Sequence, residues 1–242
     1  MSDEEPCLRV DVAGAVMSLT LNRPAARNAL NIALTRELTQ QLQRFAEDAN
    51  LRVAILTGSD PAFCAGLDLK DFSATDSPRH EVAALIDSIP RLRKPIIAAV
   101  NGPAMTGGLE LALGCDFIIA SERARFGDTH TKIGALAGGG ATSRLPHAIG
   151  HRWSKQLSYT SAAIDAATAL RIGLVNELQP HDELQSYVRS LAQFIAARDP
   201  ELVGIVKQVL DAGAQTTLAD SVRLEKDALA ARKAQGPMTW RP

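Results

Sequence analysis

Two short segments of this chain carry residues that could stabilise a negative charge developing on a ligand. The first runs from Phe63 to Asp68 and the second from Gly102 to Glu110, and both offer backbone N–H groups on turns of small residues. Glycine lets a ligand approach the backbone closely, and the unpaired N–H groups at a helix start favour an oxyanion. If the two turns converge, they form an oxyanion hole with an acid or base beside it.

Glu110 is the titratable residue of the second segment. It follows Gly107 by three residues, so the two share one face of the helix that we predict to begin there. One interpretation is a glycine-rich turn packed on a strand, with Glu110 in a surface salt bridge. The other is a buried functional carboxylate. The apolar neighbours Leu109 and Leu111 favour burial, and an unpaired buried carboxylate is costly, which points to a function.

Alternating strands and helices are predicted to position these segments. The apolar run at 95–100 is rich in β-branched residues and ends at Asn101-Gly102, which indicates a buried strand shortly before the helix of Glu110. The alternation along the chain predicts an α/β domain with repeated strand–strand–helix units. The predicted elements are strands at 8–12, 16–21, 53–57, 95–100 and 117–120, and helices at about 31–49, 82–89, from 107 and beyond about 151.

The C-terminal part of the chain has the pattern of amphipathic helices. Apolar stripes run over 184–195 and 202–209, and a third helix is predicted over 216–233. Such helices need a core or a neighbouring subunit to cover their apolar faces. We therefore divide the chain into a core at 1–180 and a C-terminal helical region at 181–242, for which we predict a role in oligomerisation.

The composition argues against several classes of partner. The 242 residues carry a formal net charge of −1 without a run of Lys or Arg, so neither nucleic acid nor an anionic membrane is expected as the main partner. The stretch Met1–Pro6 is acidic, unlike a signal peptide, and no apolar run approaches the roughly 20 residues that span a bilayer. We therefore expect a cytoplasmic protein.

Cysteine and histidine spacing predicts neither disulfides nor a metal site. The three cysteines are an odd number and lack CxxC spacing, which is typical of a reducing compartment. Cys64 adjoins the first glycine turn, where we interpret it as a small buried thiol. His147 and His151 are four residues apart, but Gly150 would interrupt any helix between them. The triple glycine at 138–140 lacks a following Lys-Ser/Thr, so we predict that it shapes a loop near the site.

Several stretches between about residue 8 and residue 185 carry motifs of one known family. They are Leu21–Pro24, Asn28–Leu30, Phe63–Leu69, Val100–Ala112, Cys115-Asp116, Ala124–Gly127 and Ala169–Val175. Through them the chain resembles the crotonase (enoyl-CoA hydratase/isomerase) superfamily. The resemblance implies an α/β fold with a crotonase-like ββα spiral core and a C-terminal helical region. It also implies an acyl-CoA thioester as substrate, no separate cofactor because CoA enters with the substrate, and assembly as a homotrimer or hexamer.

The resemblance assigns the chemistry to particular residues. In the family, two backbone N–H groups hold the thioester oxygen while charge accumulates on it, and these match Leu67 and Gly107. Two glutamates flank the bound water in the hydratases, and the first matches Glu110. Losing one oxyanion donor costs roughly 10²–10³ in rate in well-studied enzymes. Because both segments are intact here, binding and polarisation of the thioester are expected.

The CoA moiety would lie against the first segment. The resemblance places its adenine and pantetheine beside a loop formed by Ala65, Gly66 and Asp68. Basic side chains that could reach the CoA phosphates are Arg23, Arg27 and Lys70. Each of these cations, taken alone, is equally well explained as an ordinary solvated charge.

At the second catalytic position this chain departs from the family pattern. The second glutamate normally lies four residues after the phenylalanine that matches Phe126, and here that position holds His130, while Ala137 replaces a proline common in the next loop. Imidazolium can donate a proton near neutral pH, so His130 could act as the acid to the α-carbon while Glu110 activates water. Alternatively, His130 only fills space and hydrogen-bonds Asp128 or a backbone carbonyl.

These expectations lead to one function and two alternatives. The first is an enoyl-CoA hydratase of fatty acid metabolism that adds water to a 2-trans-enoyl-CoA through an enolate held in the oxyanion hole. The second is an enoyl-CoA isomerase, or another enolate reaction, with Glu110 as the single base. The third is an acyl-CoA-binding protein that does not hydrate. At the C-terminus, Gly236–Pro242 replaces the basic segment that often contacts CoA in the family.

Overall fold

Strands and helices alternate through the residues that the computed structural model describes, which are 5–72 and 78–234. In chain order the elements are β1 (Leu8–Ala13), β2 (Val16–Leu21), α1 (Ile32–Glu47), β3 (Val53–Gly58), α2 (Arg79–Ser88), β4 (Ile96–Val100), β5 (Pro103–Met105), α3 (Gly107–Gly114), β6 (Phe117–Ser121), β7 (Arg125–Gly127), α4 (Ala141–Thr160), β8 (Ile164–Asp165), α5 (Ala166–Arg171), β9 (Glu177–Gln179), α6 (Leu184–Ala196), α7 (Pro200–Gly213) and α8 (Leu218–Ala234). The order of the predicted strands and helices is confirmed.

Within the described residues, six strands form one sheet in the order β1-β2-β3-β4-β6-β9. β1 and β2 form an antiparallel hairpin, with Leu8 opposite Leu21, and the other neighbours are parallel. β3 and β4 are buried along their whole length, which explains their near-continuous apolar sequences. A smaller sheet joins β5, β7 and β8, and β5 also bridges to Cys64 of the first glycine segment.

Helices cover both faces of the large sheet. On one face, Leu56 of β3 packs with α1, α2 and α3, whose buried residues include Phe45 and Leu111. On the other face, the neighbouring Ile55 packs with α6, whose buried residues include Val188. Neighbouring strand residues alternate between the two cores because side chains of a strand point to opposite faces in turn. The predicted boundary at residue 181 therefore falls just before a helix that completes the core.

α7 and α8 pack on each other and leave many apolar side chains exposed. In the described part of the chain, Gly204 is the one buried residue of α7, and α8 has none. The exposed apolar residues are Leu202, Val206, Leu210, Leu218, Val222, Leu224 and Leu229. An uncovered apolar face is compatible with oligomerisation, which stays a prediction. The segment 236–242 lies outside the described residues.

The region around α4 differs from the sequence-based prediction. α4 begins at Ala141 rather than beyond 151, directly after Gly140, whose φ of 95° ends the triple-glycine loop. The predicted interruption at Gly150 is confirmed, with φ 74° and ψ 160° inside the helix. Among the described residues, no helix is both long enough and apolar enough to span a membrane. Those residues also contain no cluster of three or more His, Cys, Asp or Glu side chains that could bind a metal.

Candidate active site

The two glycine segments meet beside β5 and the start of α3. The Cys64 N–H donates to Pro103 O over 3.1 Å and the Met105 N–H donates to Cys64 O over 2.9 Å, so the first segment runs along β5. A β-carbon built on Gly107 would lie 3.6 Å from Leu67 N, which brings the two predicted oxyanion donors close together. Among the described residues, neither of these two N–H groups has a hydrogen-bond acceptor. Unpaired donors on adjacent turns are what an oxyanion hole requires.

Unusual backbone conformations shape both turns. Gly66 adopts φ 101°, and Thr106 adopts φ 53° and ψ −112°, which non-glycine residues rarely do. The Thr106 hydroxyl contacts the Thr129 hydroxyl, and this contact helps to hold the turn. A β-carbon on Gly108 would lie 2.1 Å from Cys64 O, so glycine is needed for the two segments to approach this closely. Strain of the kind at Thr106 clusters at functional sites, and no sequence pattern signalled it.

Glu110 is buried in the first turn of α3, with 2% of its surface exposed. Its Oε1 accepts N–H groups from Gly139 over 2.9 Å and from Ala141 over 3.1 Å. Burial raises the pKa of this carboxyl, although the two N–H donors and nearby His130 oppose the rise. The surface salt bridge considered from the sequence is therefore wrong, because backbone donors hold this carboxylate in the interior.

His130 lies opposite Glu110, on the loop after β7. Its Nε2 is 3.9 Å from Glu110 Oε2, and its Nδ1 is 2.6 Å from Asp128 Oδ1. Because an ionised carboxylate only accepts hydrogen bonds, Nδ1 carries the proton and donates it to Asp128. This bond raises the pKa of His130 and the Glu110 charge adds to the rise, whereas burial opposes it. The bond to Asp128 that the second alternative predicted is present, and the ring also lies near Glu110, so the role of His130 as an acid stays a prediction.

Asp128 is fixed in turn by a second element. Ser158 Oγ, near the end of α4, donates to Asp128 Oδ2 over 2.6 Å. Burial would raise the pKa of Asp128, but hydrogen bonds from His130 and Ser158 outweigh it and hold the pKa below its usual value. Sequence reasoning missed Ser158, because no motif joins it to Asp128 and only the path of α4 brings the two together.

A cavity of about 510 Å³ opens beside Glu110 and His130. Its lining comes from α2, from the segment 65–72 and from the loop 133–139, which includes the two glycines Gly138 and Gly139. Most of the lining is apolar and includes Leu69, Phe72, Val82, Ile86, Ile133 and Leu136. Apolar walls with a few polar groups at one end are typical of a small-molecule site. The predicted location of the triple-glycine loop beside the site is confirmed.

Comparison with known proteins identifies the family to which this site belongs. Residues 11–237 match the family model described as enoyl-CoA hydratase/isomerase. The chain belongs to the enoyl-CoA hydratase/isomerase family. The resemblance drawn from the sequence motifs is thereby confirmed.

Individual members of the hydratase/isomerase family match over most of their length. The 2,3-dehydroadipyl-CoA hydratase of Escherichia coli (strain K12) is 37% identical over 218 residues, which cover 87% of this chain and 84% of that protein. The short-chain-enoyl-CoA hydratase of Clostridium acetobutylicum is 35% identical over 221 residues, covering 89% and 85%. The crystal structure of enoyl-CoA hydratase from Bacillus anthracis superposes with a TM-score of 0.89 at 38% identity, covering 93% and 90%. The fold is therefore crotonase-like, as the resemblance implied.

In this member of the hydratase/isomerase family, the residues predicted to meet CoA lie on two neighbouring segments, one at 65–70 after β3 and one at 23–27 after β2. The Ala65 N–H donates to Arg27 O over 3.0 Å, which brings the exposed Arg27 beside the segment 65–70. Asp68 pairs with Arg23 over 2.9 Å and accepts the backbone N–H of the exposed Lys70 over 3.2 Å. The Arg23 guanidinium is thus paired within the protein, and the roles of Arg27 and Lys70 toward CoA stay predictions.

Proposed function

We propose that this chain is an enoyl-CoA hydratase, which adds water to a 2-trans-enoyl-CoA and forms a 3-hydroxyacyl-CoA. The observation that carries the proposal is the pair of Glu110 Oε2 and His130 Nε2, which lie 3.9 Å apart and line a largely apolar cavity. This gap is too long for a direct hydrogen bond, and a water can bridge it. A base and an acid then flank the water that is added.

The thioester oxygen binds between the N–H groups of Leu67 and Gly107 in this proposal. Their lack of an acceptor in the described part of the chain leaves both donors available to a ligand. As they stabilise the charge that develops on the oxygen, electrons leave the carbon–carbon double bond and the β-carbon becomes electrophilic. Each such donor is worth roughly 10²–10³ in rate.

The protons balance over one turnover. Glu110 takes a proton from the bridging water as the water oxygen attacks the β-carbon, and His130 as imidazolium gives its Nε2 proton to the α-carbon of the enolate. Afterwards Glu110 holds one proton more than at the start and His130 one fewer. Proton transfer from Glu110 to His130 restores both groups, and the raised pKa of His130 favours it. Water is the only co-substrate that this sequence needs.

The proposal extends to the substrate, the cofactor and the assembly. Two relatives are named as hydratases of CoA thioesters, and the apolar cavity walls fit an acyl chain. CoA enters with the substrate along Ala65, Gly66 and Asp68, with Arg27 and Lys70 near its phosphates, so no separate cofactor takes part. A cytoplasmic homotrimer or hexamer completes the proposal, supported by the exposed apolar residues of α7 and α8.

An isomerase is the second candidate, because the matched family model names both activities. In that reaction Glu110 alone removes a proton from one carbon and returns it to another. A protein that binds acyl-CoA without turnover is the third candidate.

Single-turnover assays in water enriched in oxygen-18 separate these candidates. Excess protein is mixed with short and long 2-trans-enoyl-CoA thioesters, and the products are identified by mass spectrometry. We expect 3-hydroxyacyl-CoA that carries the label. Unlabelled 3-enoyl-CoA would instead indicate an isomerase. Unchanged substrate, together with binding detected by calorimetry, would contradict hydration and favour the binding protein.

A further inference from the structure

We propose that Asp128 is a positioning residue that holds the His130 ring with its Nε2–H turned toward Glu110. Asp128 acts through the imidazole rather than on the substrate. The inference rests on the proposed function, because it takes His130 as the proton donor of hydration. It concerns a residue outside the acid–base pair itself.

Both carboxylate oxygens of Asp128 are engaged. Oδ1 accepts two hydrogen bonds from His130, from ring Nδ1 over 2.6 Å and from the backbone N–H over 3.2 Å. Oδ2 accepts the Ser158 hydroxyl over 2.6 Å. The side chain of Asp128 is 3% exposed, so bulk water hardly competes for these bonds. The carboxylate therefore orients the ring from a buried and fully bonded position.

The end of α4 ties down the chain on both sides of His130. Before His130, Ser158 Oγ bonds Asp128. After it, the Thr131 hydroxyl donates to Ser158 O over 2.7 Å and lies 2.8 Å from Ser161 Oγ. Rotating the imidazole would break its hydrogen bond to Asp128, whose carboxylate these contacts with the end of α4 keep in place. The ring is thus held in the one orientation that directs Nε2 toward Glu110.

The charges around the ring explain why its partner is a carboxylate. Within the described residues, the charged side chains that interact with the ring are Asp128 on its own loop and Glu110 on α3, while α4 contributes the neutral Ser158. α2 lines the same cavity with Val82, Ile86 and the cation Arg79, whose guanidinium donates to Phe72 O. A neutral imidazole with its proton on Nδ1 would present a lone pair at Nε2 and could not protonate an enolate. A buried carboxylate at Nδ1 favours the imidazolium, which keeps a proton on Nε2 as well.

Asp128 also sets the net charge of the site. Ionised Glu110, imidazolium His130 and ionised Asp128 together carry one net negative charge. A pair of glutamates acting as base and acid, one ionised and one protonated, carries the same charge. With Asp128 as counter-ion of the imidazolium, Glu110 does not have to serve that purpose alone and stays available to remove a proton from water. The aspartate thus compensates for the exchange of a glutamate for a histidine.

The substitution Asp128→Asn tests this assignment, because it keeps the shape and removes the charge. The titration of His130 is followed by NMR in the free enzyme with labelled histidine, and its signal is identified by its loss in His130→Ala. The pH dependence of kcat/KM, which reports free-enzyme groups, is measured in parallel. We expect the His130 pKa and the alkaline limb of the profile to fall together by about 1 unit or more, since an opposite charge at this distance shifts a pKa by roughly 1–3 units.

Two further variants make the test specific. Ser158→Ala keeps the carboxylate and removes one of its hydrogen bonds, so the same two quantities should shift in the same direction by a smaller amount. Asp60→Asn removes the carboxylate partner of another histidine, His181, which lies 3.1 Å from it. This control should leave the His130 titration and the alkaline limb unchanged.

The outcomes distinguish failure of the positioning role of Asp128 from failure of the proposed hydratase function. A folded Asp128→Asn protein whose His130 titration and alkaline limb match the wild type would overturn the assignment. If Asp128→Asn does not fold, an unshifted titration in Ser158→Ala overturns it instead. If the wild type does not hydrate enoyl-CoA, the proposed function fails. The NMR titration then still decides on Asp128, because it needs no turnover.

Discussion

Two histidine–aspartate pairs in this chain have similar contacts and different surroundings. His130 lies 2.6 Å from Asp128, and His181 lies 3.1 Å from Asp60. His181 also bonds Ser121 Oγ over 3.1 Å, so both of its ring nitrogens are used within the protein. In His130 the second nitrogen faces Glu110 across a gap at the cavity. A histidine–aspartate pair therefore does not by itself indicate chemistry. What indicates it in His130 is the second ring nitrogen, Nε2, which faces Glu110 instead of being bonded within the protein.

The second pair also shows why residue types alone mislead. Ser121, His181 and Asp60 have the composition of a nucleophilic triad. Ser121 is fully buried in β6, however, and its hydroxyl accepts the Arg123 N–H over 3.1 Å. No substrate reaches such a hydroxyl. This cluster therefore links strand ends to the segment before α6, whereas the cluster of His130 opens onto a cavity.

We expect the largest effect on activity when the carboxylate of Glu110, which faces Nε2 of His130, is removed. Glu110→Gln keeps the acceptor for Gly139 and Ala141 but cannot take a proton from water. We expect kcat for hydration to fall by about 10³–10⁴, toward the upper range for a lost general base, since no other described carboxylate faces the site except Asp128. Stopped-flow single turnovers measure this. Glu177→Gln, a half-buried glutamate of β9, is the matched control, and equal rates in the two variants would remove Glu110 from the mechanism.

Removing each histidine in turn sharpens the comparison between the pairs. His130→Ala should lower kcat by about 10², toward the lower end of the range for a lost general acid, because water entering the vacated space can supply a proton. The alkaline limb of the pH–rate profile should flatten as well, since it reflects loss of the imidazolium proton. His181→Ala should change neither quantity. An alkaline limb that persists in His130→Ala would show that another group is the acid.

The smallest expected effect is on stability and its pH dependence. The His130 pKa is raised above its ordinary 6.5, so its contribution is complete below that pH and is lost as pH rises through the folded-state pKa. The Asp128 pKa is lowered below its ordinary 3.8, so its contribution is present above that pH and is lost as pH falls through the folded-state pKa. Asp128→Asn should therefore destabilise most between about pH 4 and 6.5, by about 1–3 kcal/mol.

Urea unfolding of the wild type and Asp128→Asn across pH 3–9 measures that difference. Asp60→Asn provides the comparison, because the Asp60 side chain is 63% exposed and ion pairs at the surface contribute only about 0–1 kcal/mol. A stability difference for Asp128→Asn that does not vary with pH would mean that the pair is held by packing rather than by charge.

Local patterns in the sequence were sufficient to predict the strand and the helix start that position the candidate site. The apolar run before Asn101, the glycines at 107 and 108 and the apolar neighbours of Glu110 predicted a strand, a helix start and a buried carboxylate, because each depends on nearby residues. The family motifs added the pairing of Leu67 with Gly107. Their roles as oxyanion donors stay predictions, although the two N–H groups lie close together.

Contacts between distant elements could not be predicted in the same way. Ser158 reaches Asp128 only because α4 starts at Ala141 and, after the break at Gly150, ends beside β7. The positive φ of Thr106 results from close approach of two segments and has no composition signal. β5, β7 and β8 have two or three residues each, too few for a periodic pattern. The sequence therefore identified His130 as a candidate residue but did not reveal that Asp128 and Ser158 together orient its ring.

The loop that hydrogen-bonds Glu110 also lines the cavity in which we propose that the acyl chain binds, and this double role limits how such an enzyme can be re-engineered. Gly139 donates its N–H to Glu110, and a β-carbon there would lie 2.8 Å from Glu110 Oε2 and 2.7 Å from Ile86 Cδ1. Reshaping this lining to accept a different chain length would also displace Glu110, the proposed base. Val82 and Ala83 of α2 also line the cavity and make no bond to Glu110, so we expect changes there to alter selectivity without displacing Glu110. A library aimed at new chain lengths should begin on that helix.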